Sequence, residues 1–300
     1  MVLSASATRV LAQAANRPKP LARAGPAATR VRKLEEILSQ SFIPLAIGGE
    51  VYATYRSILR NRRALLSVQM VNKAFVWQRR TRLRGVHSFI DSLYDGSLQH
   101  FEPDLIDQNC DTGDLPCLGR WHGISLLQAA ESHGLVVEAN LRAIARGALG
   151  PGPDCDDCAV SFFNAIRQLE LIPAYMQFKV GCPNLMVGTA ADLLCIDKNG
   201  KIVVVEMKCG AQRYAMKSGC FSVKGQHGVA VPPPLPATRQ NRFLLQAGVT
   251  AELLRRQFLL MPSMVDFIAI QVLNRGSAQK TNVFRATAEI KTFIESAMKV

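Results

Sequence analysis

The chain has 300 residues, a formal charge of +13 and 48% hydrophobic residues, enough apolar material to bury a core in one large domain or two small ones. So basic a chain suits a polyanionic partner. No uninterrupted apolar run reaches the length of a membrane span, so a soluble protein is expected; the eight cysteines lack the dense spacing of a secreted disulfide scaffold, which points to a reducing compartment.

Residues 1–33 contain no acidic residue, whereas Arg9, Arg17, Lys19, Arg23, Arg30, Arg32 and Lys33 are basic. With Val2 to Ala15 able to form a basic amphipathic helix, the segment fits a mitochondrial transit peptide; a disordered basic tail or a nuclear address is the alternative, and a virus-encoded protein would act in its host cell. A short helix is expected over Leu34 to Gln40. From Val51 to Ile90 there is again no Asp or Glu, and the stretch carries Arg56, Arg60, Arg62, Arg63, Arg79, Arg80, Arg82 and Arg84. Tyr55, Phe75 and Trp77 interleave with them. A basic, mainly helical surface with aromatic platforms can follow a phosphate backbone and stack bases; alternatively the aromatics are core and the arginines solvate the surface.

Residues 101–121 are acidic and loop-rich. Cys110 and Cys117, together with Cys155 and Cys158, could supply four thiolates to zinc or an iron–sulfur cluster, but only the later pair has the C-x-x-C spacing. Free cysteines are the favoured reading. A helix is expected from Ile124 to Arg146, another over Val160 to Leu171, and a strand over Ala174 to Val180.

Residues Gly188 to Lys208 read as a hairpin around Asp197 to Gly200. A three-residue loop, Lys198 to Gly200 with Gly200 left-handed, pairs Asp197 with Lys201 and sets Asp192 opposite Glu206. Strand alternation then puts Lys208 on the same face as Glu206. A two-residue Asn-Gly loop would instead set Asp192 against Met207 and scatter the groups. The first register is favoured because glycine stands where a G1 bulge needs it. Facing carboxylates repel unless a divalent cation lies between them, and oxygen donors suit Mg²⁺, with Mn²⁺ as a substitute. An ammonium beside them can orient or deprotonate water. Ordinary surface charges on an exposed hairpin are the competing reading.

Beyond the hairpin, residues 209–236 are irregular, and the run Pro232 to Pro236 is excluded from a central strand or helix. A helix is expected from Asn241 to about Arg256, strands over Asp266 to Leu273 and Asn282 to Arg285, and a helix over Thr287 to Lys299.

The Asp192, hairpin, Glu206-x-Lys208 pattern resembles the PD-(D/E)xK nuclease superfamily. The resemblance implies an α/β fold, a mixed central sheet flanked by helices in the manner of a restriction-endonuclease core, and Mg²⁺-dependent cleavage of DNA. Gln246 matches the glutamine of the Gln-xxx-Tyr motif in the RecB-like and exonuclease branches, although Thr250 replaces the tyrosine. Gly134 to Arg142 resembles the first core helix of the superfamily, whose acidic residue, here Glu138, completes the metal site. The catalytic set is then Asp192, Glu206, Lys208, Gln246 and Glu138, with Asp192, Glu206 and Glu138 as metal ligands. Arg56, Arg60, Arg62, Arg63, Arg79, Arg80, Arg82, Trp77 and Arg242 are the candidate DNA contacts. The expected organisation is a transit-like segment over 1–33, a mainly helical basic region over 34–130 and a nuclease-like domain over 131–300. The function expected is that of a DNA exonuclease in replication, recombination or repair; the alternative is a nucleic-acid-binding protein that keeps the fold without cleaving.

Overall fold

The computed structural model describes residues 53–95 except 73, 126–147, 155–209, 219–223, 231–275 and 278–299. The basic leader 1–33, the helix expected over Leu34 to Gln40 and the acidic stretch 101–121 lie outside them.

Strands β6 (Val187–Ile196) and β7 (Ile202–Cys209) form the expected hairpin. Gly200 has φ +77°, a conformation that glycine reaches without the steric penalty of a Cβ. Asp197 donates its N–H to Lys201 O at 3.0 Å, and its Oδ1 accepts the N–H groups of Asn199 and Lys201 at 2.9 and 2.8 Å. That side chain therefore stands in for missing turn partners. The ladder runs Ile196 opposite Ile202 through Leu193 opposite Val205, the register of the three-residue loop.

The hairpin lies at the centre of a mixed sheet. β10 (Val265–Arg275) pairs parallel to β7, and β11 (Ala278–Arg285) pairs antiparallel to β10. β5 (Ile172–Cys182) runs antiparallel along β6, with a register shift between Pro173 and Tyr175. Such a shift is how a strand accommodates a proline that cannot donate to the ladder.

Side-chain alternation sorts the core into two layers. Ile202 and Val204 pack on one face with Phe243 and Leu245 of helix α6 (Arg239–Phe258) and Phe293 of α7 (Ala288–Ala297). Val203 and Val205 pack on the other with Leu141 of α4 (Leu126–Ala145) and Phe162 of α5 (Asp157–Gln168). Because both faces are covered, β7 reads as an unbroken apolar run rather than an alternating one. The result is an α/β architecture with a central mixed sheet flanked by helices, a restriction-endonuclease-like core. Thr238 caps α6 by accepting the Asn241 N–H at 3.1 Å. Within that helix Gly248 lies where a Cβ would stand 2.1 Å from Ile294 Cδ1 and 2.9 Å from the Phe267 ring; the close approach of α7 and β10 requires the missing side chain.

The basic stretch is built differently from the expectation. Its helices α1 (Ala53–Arg60), α2 (Arg62–Leu65) and α3 (Val86–Asp91) are interleaved with strands β1 (Val68–Val71), β2 (Ala74–Trp77) and β3 (Thr81–Gly85). β3 pairs parallel to β6, so this region contributes to the same sheet as the hairpin. Short alternating runs such as Thr81 to Gly85, exposed at both arginines and buried at Leu83, carry a two-residue period that the dense arginines conceal. Tyr55 is 2% exposed and donates its hydroxyl to Ala174 O at 3.2 Å; it is a core residue and not a stacking platform. β4 (Tyr94–Asp95), β8 (Cys220–Phe221) and β9 (Leu235–Pro236) form a small separate sheet, so the proline run stays out of the central one.

Candidate active site

The site arises where β6 changes partners. β5 occupies one edge of β6 along its whole length, including Gly188 and Val187. β3 also pairs with Val187 and Gly188, and must therefore use the opposite edge, which β7 occupies from Leu193 onward. Between these two neighbours residues 189–192 have no ladder partner on that edge among the described residues, and the interval ends at Asp192. Asp192 Oδ2 accepts the Met207 N–H at 3.0 Å, replacing the ladder bond that would have come next. Across β5, the pairs Met176–Leu193 and Phe178–Ala191 bracket Gln177 and Asp192; Gln177 holds φ +53°, a left-handed conformation disfavoured for residues other than glycine.

One step further along β7 is Glu206, 2% exposed. Its carboxyl is within hydrogen-bonding range of Asp192 and is ion-paired to Lys208 Nζ. Burial, then the Asp192 charge, push the Glu206 carboxyl up to about 8 against the opposing pull of Lys208. Beyond that ion pair, no hydrogen bond among the described residues satisfies Glu206 Oε1, which is shielded from water. A buried, under-satisfied carboxylate oxygen facing a second carboxylate is unfavourable for the ionised pair and suited to a divalent cation. The oxygen donors of Asp192 and Glu206 therefore fit a hard divalent cation. Lys208 Nζ also lies 5.8 Å from the Phe243 ring centroid, so α6 backs the lysine.

The neighbouring helices complete the surroundings. Glu138 on α4 is half-buried and ion-paired with Arg142 at 3.2 Å; burial, then the charge of Asp192 against that of Arg142, raise its carboxyl. Asp192 thus lies within electrostatic reach of both Glu138 and Glu206. Gln246 is buried on α6, and its Nε2 lies 3.3 Å from His87 Nε2. Thr250, at the place of the motif's tyrosine, is buried and donates its hydroxyl to Gln246 O at 2.7 Å. Arg242 is tied to Asp91 at 2.7 Å, and so braces α3 against α6. His87 is lowered by burial, then by the charges of Lys208 and Arg242, against Asp91 and Asp192.

His87 and Asp91 were not singled out from the sequence. Their signal was the i, i+4 spacing on one short helix, with Asp91 the first acidic residue after the acid-free run 51–90. Of the expected DNA contacts, Arg60, Arg63, Arg79, Arg80 and Arg82 are exposed, while Arg56 and Trp77 are half-buried; the Arg62 side chain lies outside the described residues.

A second group of polar side chains lies on the α4 and α5 face. His133 Nε2 is 2.9 Å from Asp156 Oδ2, and Cys158 Sγ completes a cluster whose ligand atoms all lie within 4.8 Å of one another. The arrangement is able to chelate a metal ion. The hydrogen bond to Asp156, then one with Cys209, raise His133 to about 10. Cys155 and Cys158 are buried here; Cys110 and Cys117 lie outside the described residues. A cleft of about 350 Å³ opens at the hairpin-turn end of the sheet beside Glu170, Asp197, Asp266 and Arg285. Asp197 is used by the turn and Glu170 by an exposed pair with Lys198, so the carboxylate pair at the other end is the stronger candidate for chemistry.

Compared with protein-family models, with curated proteins and with solved structures, the chain matches none. Among the described residues no helix is long and apolar enough to cross a membrane.

Proposed function

We propose that the chain is a Mg²⁺-dependent nuclease that hydrolyses DNA phosphodiester bonds, with Mn²⁺ as a substitute, working as an exonuclease in replication, recombination or repair. The observation that carries this reading is the juxtaposition of Asp192 and Glu206 beside Lys208, with Glu206 Oε1 buried and, among the described residues, without a hydrogen bond beyond that ion pair. Asp192 and Glu206 would hold the cation and Glu138 would complete its acidic surroundings. When bound, the cation neutralises charge on a phosphoryl oxygen and acidifies water.

The chain's own groups account for the rest. Lys208 Nζ would orient the attacking water or take its proton, and offset negative charge on the phosphate. Asp192 is held by the Met207 N–H, which fixes the direction of its other oxygen. Gln246 and His87 brace each other next to Lys208, and the cations around His87 favour a neutral ring able to donate one hydrogen bond and accept another. The exposed arginines of the α1–β3 region offer sequence-independent phosphate contacts. The acid-free composition of residues 1–33 supports a mitochondrial address.

Digestion of end-labelled linear DNA and closed circular DNA, with Mg²⁺ and with chelator, tests the reading. Metal-dependent loss of the linear substrate with the circle spared is expected. Attack on the circle would remove the exonuclease part, and activity in chelator would remove the metal mechanism.

A further inference from the structure

The His133 cluster lies on the opposite face of the sheet from Glu206 and Lys208, which share the face of Ile202 and Val204. Its donors differ in kind from those of the carboxylate pair: one imidazole nitrogen, one carboxylate oxygen and one sulfur. His133 is 6% exposed and Cys158 is fully buried. Asp156 is fixed from three directions. Its backbone N–H donates to Asn140 Oδ1 at 2.9 Å, and its Oδ1 accepts the Cys158 N–H at 2.9 Å as the cap of α5. Oδ2 is left facing His133 Nε2. Asn140 is itself anchored, donating Nδ2 to Val136 O at 3.0 Å.

We propose that His133 Nε2, Asp156 Oδ2 and Cys158 Sγ form a structural zinc site that pins α4 to the start of α5. A mixed nitrogen, oxygen and sulfur set favours Zn²⁺ over Mg²⁺, which prefers oxygen donors alone. Tetrahedral zinc with ligands at about 2.0–2.3 Å needs donor separations of roughly 3.3–3.8 Å; from a cluster within 4.8 Å, side-chain adjustments of an ångström or so suffice. Zn²⁺ replaces the proton between His133 and Asp156 and the thiol proton of Cys158, leaving one neutral imidazole, one carboxylate and one thiolate around the dication. The fourth position is open to water. The capping bond to Asp156 Oδ1 survives, because only Oδ2 is used. Asn140, holding the ligand rather than the metal, is a positioning residue. The site is independent of the nuclease proposal, and the two are separable because they use different ligands.

The test is metal analysis of the full chain purified without added chelator, alongside Cys158→Ser, His133→Asn and Asp192→Asn, each checked for folding by circular dichroism. One zinc per chain is expected in the wild type and in Asp192→Asn, and none in the other two. Asn140→Ala should weaken zinc binding by about 10–100-fold. Replacing zinc by Co²⁺ in the wild type gives a reading that does not depend on any variant surviving: a thiolate-to-cobalt charge-transfer band is expected. No bound zinc in folded wild type, zinc retained in Cys158→Ser and His133→Asn, zinc lost in Asp192→Asn, or no thiolate band would each overturn the proposal.

Discussion

Replacing Glu206 by Gln tests the electrostatics of the site without requiring any catalysis. The carboxyl is 2% exposed and is pushed from an ordinary 4.5 up to about 8. Because the folded value is raised, the stability this carboxyl contributes is fully present below about pH 4.5 and is lost as pH rises through about 8, where the chain must hold the charged form. At 1.36 kcal/mol per tenfold change in acidity, the full penalty above pH 8 is about 5 kcal/mol, an upper bound that local relaxation reduces to roughly 2–4 kcal/mol. Glutamine keeps the shape and removes the charge. In chelator at pH 8.5, Glu206→Gln should therefore melt above the wild type by about 5–10 °C, using the scaling for domains of this size. The difference should vanish near pH 4.5. Added Mg²⁺ should raise the wild-type melting temperature and leave the variant almost unchanged. Thermal melts over pH 4.5–9, with and without metal, provide the assay. A variant less stable than the wild type at pH 8.5 would mean that the ion pair with Lys208 outweighs burial, and the reasoning about the buried oxygen would fail.

Lys208→Ala should reduce turnover by about 10²–10⁴-fold with a much smaller change in DNA affinity, measured by single-turnover cleavage and by binding without metal; equal losses would make the lysine a phosphate clamp only. Replacing Arg60, Arg62 and Arg63 by Ala should weaken binding across sequences alike and flatten the salt dependence by about 0.7–0.9 of a logarithmic slope for each phosphate that is no longer neutralised, as read by titrations at several salt concentrations. In chelator-treated protein, His133→Gln should destabilise most below about pH 6.5. The deficit should shrink as pH rises towards 10, because the His133–Asp156 pair stabilises only while the imidazole is charged; denaturant unfolding across that range reads it directly.

The hairpin was legible because its information is local. Gly200 and the Asn199 beside it define the loop, and a two-residue side-chain period then carries Asp192 to Glu206 and Lys208. The helices from Leu126 and Arg239 and the terminal strands were legible for the same reason: their apolar periods exceed one turn or one strand pair. The sharing of one edge of β6 by β3 and β7 was not legible. It depends on pairing between residues about a hundred positions apart in sequence, and the two-residue pairing of β3 with β6 carries almost no pattern of its own. His87 and Asp91 were missed with it, since α3 reaches the site only because β3 delivers it there. Between the two readings of Tyr55, stacking platform or core residue, its arginine neighbours could not decide; its ring belongs to a small buried group with Leu59, Ala174 and Ile196. The C-x-x-C spacing points to Cys158, but not to its partners His133 and Asp156, because the donors come from α4 and the start of α5 and meet only when those helices pack.

The most direct measurement is cleavage of end-labelled linear DNA in Mg²⁺ by equal amounts of folded wild type and Asp192→Asn. Asp192 is held by Met207 and faces Glu206, so its loss should abolish hydrolysis while DNA binding in chelator stays the same or strengthens. Undiminished cleavage by Asp192→Asn would place the chemistry elsewhere in the chain and contradict the assignment of this carboxylate pair as its centre.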